Sequence, residues 1–124
     1  MSLDQIAKDY VAFVEAGQFL EVFDALYAED AISVEAMEPP GGGAGRVASG
    51  LDALRAKNKA FDSQHEVHAP KVHGVWPHGD DRFAVRMTFD ITHIESGHQR
   101  TADELVVLTV SDGKIVREEF FYGE

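Results

Sequence analysis

At His65 the hydrophobic period of the chain changes, and that change limits the fold more than any other feature. Beyond it, apolar residues recur at every second position in four runs: HEVHAPKVHGVW (65–76), DRFAVRMTFDITHI (81–94), QRTADELVVLTV (99–110) and KIVREEFFY (114–122). Alternation of this kind marks strands with one face buried. HGDD, ESGH and SDG join the runs, and turns that short make successive strands antiparallel neighbours. Such a meander presents one apolar face, which something upstream must cover.

Upstream the period is helical. Leu3, Ile6, Ala7, Tyr10, Phe13 and Val14 share one stripe, so residues 2–16 read as an amphipathic helix. Ser2 and Gln5 stand at capping-box spacing and Gly17 supplies a stop. Phe19, Val22, Phe23 and Leu26 outline a short second helix, and DAISVEA (30–36) alternates like a short strand. MEPPGGGAGRVAS (37–49) reads as a loop without periodicity. Ser49 and Asp52 then take capping-box positions ahead of Leu51, Leu54, Asn58 and Phe61, the stripe of a third helix. Helices followed by a meander make the class α+β. A length of 124 residues suffices for one core and not for two, so residues 1–124 are expected to form a single domain.

The faces of the last hairpin raise a chemical question. With SDG as a three-residue turn, Leu108 opposes Val116, Val106 opposes Glu118, Glu104 opposes Phe120, and Ala102 opposes Tyr122. A preceding turn centred on Ser96-Gly97 adds Val85, Met87, Phe89 and Ile91 to that face. The face is apolar except for Glu104 and Glu118. The reverse face mixes Arg86, Thr88, Asp90, Asp103, Arg117 and Glu119 with Leu105, Val107, Phe121 and Ile115. A two-residue Asp112-Gly113 turn would instead send Glu118 outside, because a slip of one residue swaps the faces. Two carboxyls on an apolar face cannot comfortably ionise together, so at least one pKa rises. That is the starting material for acid–base chemistry, and equally for a structural network with buried hydroxyls or cations.

Three stretches carry a family likeness: YVAFVEAGQFLEVFDALYAEDAISVE, the Gly-rich loop ahead of GLDALRAKNKAF, and the closing SDGKIVREEFFY. Through them the whole chain resembles the NTF2-like superfamily, specifically SnoaL-like proteins akin to ketosteroid isomerase. The resemblance implies a cone in which three N-terminal helices pack on a strongly curved, mainly antiparallel sheet around a pocket. It also implies a homodimer formed through the outer sheet face. Members of the superfamily include isomerases, cyclases, epoxide hydrolases, dehydratases and non-catalytic adaptors, so the likeness names no single reaction. Carried over residue by residue, the tyrosine that donates to the oxyanion corresponds to Tyr10. The carboxylate base, eight residues after the tyrosine of the YAEDA segment, corresponds to Glu35. The protonated acid beside the oxyanion corresponds to Val106, which departs from the pattern and donates no hydrogen bond. Glu118, opposite Val106 in the register above, would bring a carboxyl to the same area.

Other residues complete the candidate set. Asn58 lies among apolar residues of the third helix, where a buried amide needs partners. His65 and His68, three apart on a strand, point to opposite faces and do not chelate one ion together. No HExxH pattern and no cysteine is present, so no metal is expected. A turn at Gly79-Asp80 faces His68 into the pocket, and a bulge at Pro70 reverses that choice. Met87, Phe89, Val106, Phe120 and Tyr122 are the expected apolar walls. The Gly-rich loop is no phosphate cradle, since Arg46 occupies the place of the third glycine in GxGxxG. It reads as a lid, a dimer arm or a plain surface loop.

Twenty-two acidic residues against eleven basic ones leave a net charge of −11. Nucleic acid and anionic membranes are therefore not expected as partners. MSLDQIAKDY lacks the basic-then-apolar pattern of a secretion signal, and the absence of cysteine suits a reducing compartment. The expectation is a cytoplasmic protein that takes an apolar small molecule. Two readings stay open: a cofactor-independent isomerase or dehydratase with Tyr10, Glu35, Glu104 and Glu118 as its acid–base groups, or a non-catalytic pocket or dimerisation module.

Overall fold

A computed structural model describes residues 2–37 and 45–123. Helix α1 (Leu3–Glu15) starts where the Ser2 hydroxyl accepts the Gln5 backbone N–H at 3.2 Å, and stops at Gly17, whose φ is 73°. Gln5 does not close the capping box; its side chain donates to Asp9 one turn on. The stripe Ile6, Ala7, Tyr10 and Val14 is buried, with the helix lying against the strands β3 (His65–His78) and β4 (Arg82–His93). Helix α2 (Glu21–Leu26) leads directly into β1 (Tyr27–Val34). A short β2 (Val47–Ser49) follows, then α3 (Leu51–Gln64), β5 (Gln99–Ser111) and β6 (Lys114–Phe121). Among the described residues no helix is long and apolar enough to cross a membrane.

The strands form one sheet in the order β2-β1-β6-β5-β4-β3. Neighbours are antiparallel except β1 and β6, which run parallel. The class is α+β and the sheet mainly antiparallel, as expected. Not all helices are N-terminal, however: α3 follows β1 and β2. Val47–Ser49, expected within the loop, pairs with Ile32–Val34 because that stretch of β1 offers an open edge. With Ser49 in the strand, Gly50 becomes the N-cap of α3 and no side chain caps it. The Gly-rich segment 38–44, expected as a lid or dimer arm, lies outside the described residues.

The β5–β6 hairpin corrects the expected turn and still keeps Glu118 inside. Asp112 and Gly113, with φ 52° and 76°, form a two-residue left-handed turn, and Ser111 pairs with Lys114. That turn alone would send Glu118 outward. One extra residue, Val116, bulges between the Val110–Ile115 and Thr109–Arg117 pairs and restores the phase. Glu118 therefore opposes Leu108, and Phe120 opposes Val106, two positions from the expected register. A shift of two preserves the faces. The bulge also turns Ile115 into the core, contrary to its expected place outside.

On β3 the outcome for the histidines is the reverse of that expected from a Gly79-Asp80 turn. The turn spans Gly79–Asp81, and irregularities at Ala69-Pro70 and His73 interrupt the register. His65 then faces inward opposite His93, stacked on Phe61 at 4.3 Å. His68 faces outward opposite Asp90, exposed beside Glu66. Trp76 lies on the outer face and is 53% exposed.

The core sits at one end of the covered face. Phe83, Val85, Val106, Leu108 and Ile115 meet Ile6, Val14, Leu26 and Leu54, all essentially inaccessible. Along β5 the inner side chains change from buried Leu108 and Val106 to half-buried Glu104 and exposed Arg100. The opposite end of the covered face is where polar groups accumulate.

Candidate functional site

Strand β1 sends Ser33 inward, and the parallel pairing sets Ser33 beside Glu118. Among the described residues these are the two buried polar side chains. The Glu118 carboxyl accepts the Tyr27 hydroxyl on Oε1 and the Ser33 hydroxyl on Oε2, the latter at 2.6 Å. Lys57, one turn beyond Leu54 on α3, donates from Nζ to Ser33 Oγ at 2.6 Å and to Glu35 Oε1 at 2.9 Å. Tyr122 donates to Glu35 Oε2 at 2.8 Å. A continuous line of hydrogen bonds thus runs from buried Tyr27 through Glu118, Ser33 and Lys57 to half-buried Glu35 and Tyr122. The Glu35 backbone N–H donates to the Arg46 carbonyl at 2.8 Å, and Arg46 Nε donates to the Glu35 carbonyl at 3.0 Å, which holds the end of β1 in place.

Burial drives the electrostatics of this line. It raises the pKa of Glu118, with the Ser33 and Tyr27 hydrogen bonds and Lys57 pulling the other way. It pushes the Tyr10 hydroxyl far above the usual phenol value, and the nearby Glu118 and Glu104 add to that. Tyr27 and Tyr122 are raised as well, burial again coming first. These phenols stay protonated and keep their hydrogen to donate.

Glu104 is different. It opposes Met87 on β4, and across β6 it stands diagonal to Phe120, the partner of Val106. It is half-buried and has no hydrogen-bond or ion-pair partner among the described residues. Burial, followed by the charge of Glu35, pushes its pKa up to about 7; Arg100 and Lys57 oppose the rise, and Glu118 adds to it. Asn58 carries a second unpartnered group among the described residues, a buried Oδ1 with no donor.

The expected site residues therefore divide. Glu118, Glu35 and Tyr122 share one hydrogen-bonded network, with Phe120 under the Lys57 ammonium at 5.2 Å; Glu104 acts on it through its charge alone, and Tyr10 lies beside Glu118. Tyr10 and Glu118, each 4% exposed, are sealed inside it, and Val106 and Met87 belong to the core. Phe89, Phe120 and Tyr122 are half-buried on the same side of the sheet. His68 is not part of the site. Two shallow concavities, of about 440 and 420 Å³, lie elsewhere: one runs from His68 and Asp90 to Arg100 and Thr101, the other lies between Phe23, Leu51 and Lys114.

Sequence reasoning missed Tyr27, Ser33 and Lys57. Ser33 alternates with Glu35 and so shares its face. Lys57 stands three residues after Leu54 and four before Phe61, on the same stripe. Both signals were available, but a lysine on a helix reads by default as solvated.

A family model of the SnoaL-like domain matches residues 1–122. The chain belongs to the SnoaL-like family. Its fold recurs in a candidate SnoaL-like polyketide cyclase from Mesorhizobium loti, 38% identical over 98% of this chain and 100% of that one, with a TM-score of 0.87. A protein with a ketosteroid isomerase-like fold from Catenulispora acidiphila, crystallised in complex with trimethylamine, is 15% identical over 95% of this chain and 85% of that one, with a TM-score of 0.74. A candidate polyketide cyclase from Pseudomonas putida is 18% identical over 99% and 92%, at 0.72. The latter two show the shared fold alone. No protein with a curated description matches the chain significantly.

Proposed function

We propose that this SnoaL-like protein is an acid–base enzyme that moves a proton on an apolar carbonyl compound, in an isomerisation or dehydration, with all reacting groups supplied by the chain. The observation that carries the reading is Glu104: a half-buried carboxyl poised at about 7, unpartnered among the described residues, on the same side of the sheet as Phe120 and Phe89. A base of that pKa divides its time between both protonation states at neutral pH, the condition under which general acid–base groups work best. Glu35, the base position of the resemblance, already has both oxygens engaged by Lys57 and Tyr122. Glu104 takes the proton from the carbon next to the carbonyl, and the C–H electron pair becomes an enolate. The protonated acid then returns the proton to a different carbon, or to a departing β-hydroxyl that leaves as water.

Deuterium exchange tests this. The protein is incubated in D2O with 2-cyclohexenone, α-tetralone and 4-hydroxy-2-butanone, and the proton signals beside each carbonyl are followed by NMR. Catalysed exchange on at least one compound is expected, reduced by about 10²–10⁴-fold in Glu104→Gln. Binding by thermal shift without exchange would favour the non-catalytic pocket, a reading that the sealed positions of Tyr10 and Glu118 support.

A further inference from the structure

We infer that Lys57 supplies the oxyanion contact of this site, and that its ligand is an enolisable carbonyl compound whose oxygen turns anionic beside the Lys57 ammonium. The inference rests on the proton-transfer reading above. The resemblance assigns this contact to Tyr10 and the Val106 position. Tyr10 is closed off against Phe83, and Val106 has neither a donor nor exposed surface. A different donor has to meet the oxygen.

Lys57 meets the geometric requirements. An ammonium has three N–H donors. Ser33 and Glu35 take two of them, and among the described residues nothing takes the third. The side chain is 29% exposed, so a ligand can reach it. Its Nζ stands over the ring of Phe120, 5.2 Å from the centroid, and its charge is felt at Glu104. A ligand whose reacting carbon meets Glu104 would then have a cation close by for its oxygen.

The charge balance also fits. Before the step the negative charge is on Glu104; afterwards Glu104 holds the proton and the charge is on the enolate oxygen. The net charge of the site stays constant while the anion moves toward Lys57. Ser33 and Glu35 already fix the ammonium, so little reorganisation accompanies the reaction, which is how a preorganised cation stabilises a transition state. Arg100, exposed on the same face, adds a second cation near the mouth.

The test uses 2-naphthol, an enolate mimic whose absorbance reports ionisation, with 2-methylnaphthalene as its neutral counterpart. Bound to the wild type, naphthol should ionise about one pH unit or more below its free value, a preference of about tenfold for the anion. Lys57→Gln should abolish that preference while binding of 2-methylnaphthalene persists; Lys57→Arg should keep part of it, and Tyr10→Phe all of it. The wild type alone provides a second readout independent of folding of the variants: naphtholate should move the Lys57 Cε resonance in 13C-lysine spectra, and 2-methylnaphthalene should not. The inference is overturned if naphthol does not bind, if Lys57→Gln ionises it like the wild type, if Tyr10→Phe alone removes the preference, or if the Lys57 resonance stays still. Failure of the proton-transfer reading looks different: the wild type shows no deuterium exchange whatever naphthol does.

Discussion

Glu104 costs the fold stability at neutral pH, and the sign of the effect follows from its pKa. The folded chain holds this proton up to about 7, against an ordinary value of 4.5. Stability is therefore full below about 4.5 and declines as the pH rises through about 7. The whole gap corresponds to roughly 3 kcal/mol at most. Glu104→Gln should remove this part of the decline and leave the protein about 1–3 kcal/mol more stable than the wild type at pH 8. Urea unfolding at pH 5 and pH 8 measures it; parallel wild-type and variant curves would contradict the burial of Glu104. Asn58 carries a similar cost, since its Oδ1 is buried without a donor. Asn58→Leu is expected to be neutral or stabilising by about 1 kcal/mol in thermal unfolding. The carboxyls were legible because an acid on an alternating apolar face breaks a pattern. Lys57 was not, because its long stem lets a charge reach a site from an unremarkable helical position.

At the scale of elements, the faces of β4 and β5 and of β6 beyond its bulge survived although registers did not. The expected three-residue SDG turn is a two-residue one, and the Val116 bulge supplies the missing residue. Both arrangements face Glu118 inward, so alternation revealed the face while the turn chemistry misled. Ile115, on the turn side of the bulge, shows the limit: its phase is opposite to that expected. Bulges leave little trace in one sequence, and β3, interrupted twice, was the strand whose histidines were hardest to place. Gly113→Ala, at φ 76°, should destabilise the hairpin by about 1 kcal/mol, read as a lowered midpoint in urea. Gly74 makes a different prediction. A Cβ there would lie 2.6 Å from the Trp76 ring. Because that ring is 53% exposed it can swing away, so Gly74→Ala should shift the emission of the single tryptophan at a stability cost below about 1 kcal/mol.

For the whole molecule, class and layering followed from the change of period at His65 and from the helical stripes before it. The β1–β6 parallel pair did not follow, because a non-local pairing has no local signature. The place of α3 after a strand did follow, from DAISVEA alternating ahead of the third helical stripe. The outer sheet face leaves Leu105 and Phe121 about half exposed beside Val107. A homodimer through this face would cover them, burying about 800 Å² per chain. Each chain carries −11, so the dimer should tighten as salt screens the repulsion. Sedimentation velocity at 20 mM and 300 mM NaCl is expected to show more dimer at the higher salt; a monomer at both salts and at tens of micromolar protein would contradict it.

The central claim is that one reachable carboxyl, Glu104, changes protonation near neutrality. Carbon-13 NMR of glutamate-labelled protein, with the Glu104 signal assigned from Glu104→Gln, measures this directly. The account predicts a midpoint at about 7 that rises further in Lys57→Gln, because the ammonium holds it down. A midpoint at the ordinary carboxylate value, unmoved by Lys57→Gln, would contradict it.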